Sequence, residues 1–147
     1  MIELRETRAA ELAAICEMEQ DVDTARFILP TTLEQHRRNL ARKDTVYLSI
    51  YRHGKLVGFM VLVPEADGSS VEFRRIVVAD KGRGIGQQAI AAMETYCRDT
   101  LQRDRVWLDV FDFNPRGMHV YRKLGYRLIG EENLDDRRLL AYDKILS

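Results

Sequence analysis

The chain has 147 residues, of which 46% are hydrophobic and 31% charged, and its formal net charge is zero. This length and composition suit a globular domain with its own hydrophobic core. The balanced charge argues against strong nucleic-acid binding, which needs an excess of cationic side chains. We find no apolar run of membrane-span length and no signal peptide at Met1-Ile2-Glu3, so we expect a cytoplasmic protein that does not bind membranes.

Hydrophobic periodicity divides the chain into strands and helices. In chain order it predicts a strand at 2–6, helices at 9–20 and 31 to about 43, strands at 45–51, 55–63 and 71–78, a helix from 84 to about 101, a strand at 105–111, a helix at 115–124, and strands at 126–129 and 138–145. The order β-α-α-β-β-β-α-β-α-β-β predicts an α/β or α+β fold with a mixed sheet. We expect residues 1–147 to form a single domain. Thr31-Thr32-Leu33-Glu34 matches a capping box at the start of the second helix.

Three glycines, Gly82, Gly84 and Gly86, lie where the strand at 71–78 gives way to the longest predicted helix. Glycine lets another group approach the bare backbone, and a helix N-terminus offers unpaired N–H groups with partial positive charge. The stretch therefore predicts an anion cradle, most often one for phosphate. It does not match the Walker A pattern, and Gln87 replaces the third glycine of the dinucleotide pattern. A nucleotide-binding domain and a tight turn without any ligand are the alternatives.

A second stretch, from Asn114 to Tyr126, carries the start and stop signals of a short helix. Asn114 is a favoured N-cap, Pro115 is a favoured first helical residue, and Gly125 suits the position after the helix. These signals do not account for Tyr121, which at helical spacing is equally typical of a core aromatic residue.

The two stretches together resemble the GNAT superfamily of acyl-CoA-dependent N-acetyltransferases. That family has a Gln/Arg-x-x-Gly-x-Gly/Ala loop after its fourth strand, and here Lys81-Gly82-Arg83-Gly84-Ile85-Gly86 follows the strand, with Lys81 in place of Gln or Arg. It also has an Asn, a Tyr seven residues later, and then Leu-Gly-Phe/Tyr, which correspond to Asn114, Tyr121 and Leu124-Gly125-Tyr126. The resemblance covers the whole chain and implies a GNAT-like mixed, mostly antiparallel sheet flanked by helices.

The resemblance implies transfer of an acetyl group from acetyl-CoA, as co-substrate, to a primary amine of a small molecule or a peptide. Backbone groups of Ile76, Val77 and Val78 would pair with the pantetheine arm, and an N–H around Val77 or Val78 would stabilise the oxyanion. Asn114 would contact the cofactor arm, and Tyr121 would contact the cofactor and protonate the leaving thiolate. The loop that would hold the pyrophosphate consists of Gly82, Arg83, Gly84, Ile85, Gly86 and Gln87.

The attacking amine must be neutral, yet a lysine-like amine with a pKa of about 10.4 is almost entirely charged at pH 7. Glu72, on the fourth strand, is the candidate general base by position. The alternative is a carboxylate that faces solvent or pairs with Arg74. We expect no metal site, because the histidines are isolated and no ligand-spaced cluster is visible in the sequence.

By the same resemblance, the acceptor would lie between the connection of the first two helices and the last hairpin. These segments are rich in carboxylates, namely Glu17, Glu19, Asp21, Asp23, Glu131, Glu132, Asp135 and Asp136. Such residues would favour a cationic acceptor, whereas a solvated charged surface explains them equally well. A homodimer, and a non-catalytic acyl-CoA-binding or regulatory module of the same fold, also remain open.

Overall fold

A computed structural model describes residues 1–20, 31–79 and 83–146, and it places the helices of these ranges on both faces of one sheet. The elements are β1 Ile2–Glu6, a 3-10 turn Ala9–Glu11, α1 Leu12–Glu19, α2 Leu33–Leu40, β2 Val46–Arg52, β3 Lys55–Pro64, β4 Val71–Val78, α3 Ile85–Asp99, β5 Arg105–Phe111, α4 Pro115–Lys123, β6 Arg127–Leu134 and β7 Arg137–Ile145. The predicted order is confirmed. None of the helices in these ranges has the length and apolar character needed to cross a bilayer.

The strands follow the order β1-β2-β3-β4-β5-β7-β6. Neighbours run antiparallel except β4 and β5, which run parallel, so the predicted mixed and mostly antiparallel sheet is confirmed. Because successive strand residues point to opposite faces, β3 supplies both cores. Met60 and Leu62 pack in the core that contains α3, and Phe59 packs in the core that contains α1.

The two parallel strands stay together for only two residue pairs, Val71 with Val106 and Glu72 with Trp107. Beyond these pairs β4 continues its ladder with β3 as far as Val78, while β5 continues its ladder with β7. The two strands therefore part, and one backbone edge of β4 lines the gap between them.

The alternating direction of the backbone N–H and C=O groups along the β3–β4 ladder shows which groups of β4 face this gap. The N–H of Ala79 donates to the carbonyl oxygen of Val57 in β3 at 2.8 Å. In an antiparallel ladder the N–H and C=O groups of Val77, two residues earlier, point the same way. Those of Ile76 and Val78 consequently point into the gap.

Gly58 in β3 lies opposite Val78, where β3 and β4 approach each other closely. A Cβ atom at position 58 would overlap the carbonyl oxygen of Val77. Since that oxygen belongs to the backbone, it cannot move aside as a side chain would. Only glycine therefore fits at this position.

A β-bulge interrupts β4 at Arg74. Phe73 pairs with Leu62 and Arg75 pairs with Val61, so Arg74 has no partner in the ladder. An extra residue re-aims the side chains around it. As a result, Arg74 and Arg75 line the same pocket although they are consecutive strand residues.

The second helix begins one residue later than the capping-box pattern predicts. Thr32 rather than Thr31 is the N-cap, and its Oγ1 accepts a hydrogen bond from the N–H of Gln35 at 3.1 Å. The helix also ends earlier, at Leu40. Thr31 is instead drawn inward, because its N–H donates to Oε1 of Glu19 at 3.2 Å.

Glu19 is a fully buried carboxylate that ties α1 to α2 and β4. Its Oε1 lies 2.5 Å from Nε2 of His36, its Oε2 accepts a hydrogen bond from Arg75, and Nδ1 of His36 lies 2.7 Å from the Tyr47 hydroxyl. Burial alone would raise the pKa of Glu19, but the hydrogen bonds from His36 and Arg75 lower it. The expectation that Glu19 helps to line an acceptor site is therefore wrong, since both of its oxygens are engaged inside the fold.

We predict that Glu19→Gln lowers the free energy of unfolding by about 3 kcal/mol at pH 7, because it leaves the half-buried Arg75 cation without its charged partner. A group whose pKa is lowered by folding stabilises the fold above its unfolded pKa and loses that effect as the pH falls. The deficit should therefore shrink below about pH 4. Glu17→Gln is the matched control, since Glu17 is exposed on the same helix. Equal denaturant midpoints for the two variants at pH 7 would contradict the assignment.

Candidate active site

Helix α3 begins with unprotected backbone groups. Its N-cap, Gly84, has a φ of 71°, a conformation that favours glycine, and no described side chain caps the helix. The first intrahelical bond runs from the N–H of Gln88 to the carbonyl oxygen of Gly84 at 3.2 Å. A Cβ atom added at Gly84 or Gly86 would meet open space. The helix therefore presents N–H groups to an open cradle of the kind that suits an anion.

The remaining loop residues differ in what they offer. Ile85 is buried in the core, so only its backbone is available to a ligand. Gln87 is half-buried and Arg83 is exposed. Gly82, which was also predicted to bind the cofactor, lies outside the described residues.

The predicted cofactor-binding residues of β4 separate into two kinds. Ile76 and Val78 direct their backbone groups into the gap, whereas Val77 directs its groups to β3 and buries its side chain against α1. Of the two residues named as candidate oxyanion donors, Val78 is the one whose N–H faces the gap.

The ring of Tyr121 packs edge-on against Phe73 and Tyr126, with centroid distances of 6.4 Å and 5.8 Å. Its hydroxyl makes no hydrogen bond to a described residue. Burial raises the pKa of Tyr121 to about 12, so the phenol keeps its proton at neutral pH.

Asn114 caps α4. Its Oδ1 accepts a hydrogen bond from the N–H of Gly117 at 3.0 Å, while its Nδ2 donates to no described group. A Cβ atom at Gly117 would lie 2.7 Å from that Nδ2. Glycine at 117 thus allows Asn114 to close over the helix start. Gly117 was not predicted from the sequence, although a glycine three residues after an N-cap asparagine is a local pattern that indicates this contact.

Glu72 belongs to the last residue pair before the gap opens, opposite Trp107. Its Oε1 lies 2.7 Å from Nη2 of Arg74. The ion pair with Arg74, one of the two alternatives drawn from the sequence, is therefore present in the fold. The role of Glu72 as a base stays a prediction.

A second carboxylate near Glu72 was missed in the sequence. Asp109 interrupts the apolar side chains of β5, two residues after Trp107 and therefore on the same face of the strand. Burial, together with the charges of Glu72 and Glu132, raises the pKa of Asp109. A lone acidic residue among strand hydrophobics was the available signal.

The other acidic residues of the predicted acceptor side are mostly exposed. Glu131 forms an ion pair with Arg138, while Asp21 and Asp23 lie outside the described residues. Those exposed to solvent are Glu17, Glu132, Asp135 and Asp136.

The sequence profile of the Acetyltransferase (GNAT) family matches residues 12–126. Among curated proteins, the chain is 24% identical over 102 residues to the spermine/spermidine N(1)-acetyltransferase of Bacillus subtilis strain 168, and 26% identical over 103 residues to the probable spermine N(1)-acetyltransferase of Bacillus subtilis subsp. natto. Each match covers 64% of this chain and 67% of the relative.

The fold is similar to that of solved acetyltransferases. Spermidine N-acetyltransferase from Vibrio cholerae, in complex with CoA and spermine, superposes with a TM-score of 0.84 at 17% identity, covering 98% of this chain and 95% of the other. Aminoglycoside acetyltransferase AAC(6')-Ib, in complex with coenzyme A and kanamycin, gives a TM-score of 0.82 at 17% identity, with 99% and 95% covered. At these identities the likeness shows the fold.

Proposed function

Because the chain belongs to the acetyltransferase (GNAT) family, we propose that it transfers the acetyl group of acetyl-CoA to a primary amine of a small cationic molecule by direct attack on the thioester. The observation that carries the proposal is the gap between β4 and β5, which has a free backbone edge on one side and starts beside the candidate base Glu72. We also propose that residues 1–147 are one N-acetyltransferase domain.

The open cradle at the start of α3 supports a phosphate-bearing co-substrate. The N–H groups of Ile85, Gly86 and Gln87 would bind the pyrophosphate, with Gly82 and Arg83 as further loop contacts. Acetyl-CoA supplies the activated acetyl thioester. Everything else in the proposed mechanism is performed by the chain's own groups.

The gap-facing edge of β4 would bind the rest of the molecule as an added strand. The backbone groups of Ile76 and Val78 pair with amide groups of an extended ligand, as strand addition to a sheet edge requires. The N–H of Val78 donates to the oxygen on which negative charge develops during attack.

Tyr121 and Asn114 approach from α4. The Tyr121 hydroxyl holds its proton at neutral pH and donates it toward the departing sulfur. The free Nδ2 of Asn114 donates to the cofactor arm while its Oδ1 caps the helix.

A carboxylate would accept the proton of the amine, directly or through water. Glu72 is the proposed base because it lies where the gap begins. Asp109 is the second candidate, because partial burial and the charges of Glu72 and Glu132 raise its pKa.

The cationic acceptor is supported by the names of the relatives, since spermine and spermidine carry several ammonium groups. It is supported also by the exposed carboxylates Glu132, Asp135 and Asp136 on and beside the last hairpin. An exposed carboxylate attracts a cation from solution, and salt screens that attraction.

A panel of amines with acetyl-CoA, read by release of free thiol, tests the activity and the acceptor class together. We expect polyamines and other cationic amines to be preferred, and their KM to rise with ionic strength, because exposed charges are screened over about 8 to 10 Å at physiological salt. A clear preference for acidic or uncharged acceptors would rule out the cationic class, and the absence of thiol release with every amine would favour a non-catalytic acyl-CoA-binding module.

Gly84→Asp should abolish CoA binding measured by calorimetry. The substitution places a negative charge at the helix start and strains a backbone with a φ of 71°. Gly54→Asp is the matched control, because Gly54 has a φ of 76° in the hairpin between β2 and β3 and also faces open space. Normal CoA affinity in Gly84→Asp would remove the loop from the binding site.

Tyr121→Phe should slow the single-turnover rate by about 10²- to 10⁴-fold, the usual cost of a lost acid catalyst. Because the hydroxyl matters only as the carbon–sulfur bond breaks, kcat and kcat/KM should fall together, while stability and acetyl-CoA affinity change little. Tyr126→Phe provides the contrast. Its hydroxyl donates to Glu94 at 2.9 Å, so we expect a loss of about 0.5 to 1.5 kcal/mol in stability with normal turnover. A normal rate in folded, saturated Tyr121→Phe would exclude Tyr121 as the acid.

A further inference from the structure

A cavity of about 170 Å³ opens on the α2 side of β4, and none of the roles proposed above uses it. Its described lining contains three arginines and no carboxylate. The lining residues are Thr31, His36, Asn39, Arg42, Thr45, Tyr47, Val61, Arg74 and Arg75. Guanidinium groups carry only donors, so these three side chains supply the cavity walls with hydrogen-bond donors and no acceptors.

Two segments of the chain, β4 and the residues that follow α2, bring the arginines together. The β-bulge turns Arg74 to the side of Arg75, and Arg42 follows the end of α2. The hydrogen bond with Glu72 raises the pKa of Arg74, while the charge of Arg42 lowers it and that of Asp44 raises it. Arg42 and Arg74 are therefore close enough to interact electrostatically, and both line the cavity.

Each arginine forms an ion pair with a carboxylate, and each has further N–H donors that this carboxylate does not bind. Arg42 binds Asp44 through Nε and Nη2, Arg74 binds Glu72 through the same two atoms, and Arg75 binds Glu19 through Nη1. A guanidinium has five N–H donors. Donors on all three therefore have no carboxylate partner among the described residues, and the ion pairs fix the positions of the groups that carry them.

We propose that this cavity, which we call the arginine pocket, binds one oxyanion group, a carboxylate or a phosphate, between Arg42, Arg74 and Arg75. Guanidinium groups match the planar and bidentate geometry of these anions better than ammonium groups do. The volume exceeds the space that a single water occupies, about 30 Å³ in the liquid. Asn39 and Thr45 line the same walls and can donate further hydrogen bonds.

The anion can come from two sources that share this chemistry. One is a free oxyanion in solution. The other is an acid group carried by the acceptor itself, because Arg74 lines the pocket and also binds Glu72, where the gap begins. The two sources call for separate measurements.

The first measurement is an NMR titration of the unliganded protein with inorganic phosphate and, separately, with succinate at constant ionic strength. We expect saturable shifts of the Nε–H signals of Arg42 and Arg74. Arg42→Gln and Arg74→Gln should each weaken the binding by about tenfold or more, since each removes a charge-assisted hydrogen bond. Both side chains are more than half exposed, so both variants should fold.

Arg38→Gln is the matched control, because Arg38 is an exposed residue of α2 outside the pocket lining. It removes the same charge four residues before Arg42, and we expect it to bind like the wild type. Shifts that fail to saturate, or equal affinities in Arg42→Gln, Arg38→Gln and the wild type, would overturn the proposal. The titration measures binding without turnover, so its result does not depend on whether the protein catalyses the proposed acetyl transfer.

The second measurement compares two acceptors, 5-aminopentanoate and its amide, which differ only in the acid group. A lower KM for the acid in the wild type that is lost in Arg42→Gln would identify the acceptor's own carboxylate as the anion. Equal KM values together with saturable phosphate binding would identify a free oxyanion. If the acid shows no advantage and phosphate does not saturate, the arginine pocket is not an anion site.

Discussion

The separation of β4 from β5 after two residue pairs is the constraint on which the rest of the site depends. Parallel neighbours need a crossover connection, and here α3 provides it, so the helix N-terminus follows the end of β4. Had the strands stayed paired, the backbone N–H and C=O groups of Ile76 and Val78 would have formed hydrogen bonds with β5. Their separation leaves a hydrogen-bonding edge that leads from the glycine turn to Glu72.

On the opposite face of the sheet, the buried carboxylate of Glu19 connects α1, α2 and β4. Glu19 accepts hydrogen bonds from His36 and Arg75, so it positions α2 against β4 and also holds one wall of the arginine pocket. Arg74, next along the strand, is bound by Glu72 at the edge of the gap. The carboxylates of Asp44, Glu72 and Glu19 therefore position the three guanidinium groups, each of which keeps N–H donors that no described carboxylate binds.

Local patterns were sufficient to predict much of the fold. The bounds of β1, β4 and β5 follow from alternation and β-branched residues, and the face of α3 follows from its helical spacing. The polar second half of β6 was missed, because an edge strand that is exposed along its whole length has no hydrophobic signature. The burial of Glu19 was invisible for a different reason. Its partners, His36 and Arg75, lie 17 and 56 residues away in the sequence.

The features of the candidate site likewise divide into those that local motifs predict and those that depend on contacts between distant residues. The glycine turn and the Asn114 cap are local features, so motifs predicted them, whereas the bulge at Arg74 and the proximity of Asp109 to Glu72 depend on strand register. The need for glycine at position 58 also depends on strand pairing and not on a local motif. It touches no ligand group, yet any side chain there would press against the backbone of Val77 and displace β4 toward the gap. Substitution is thus restricted at a position one strand removed from the proposed binding edge, because the Cβ atom that any other residue would add has no room there.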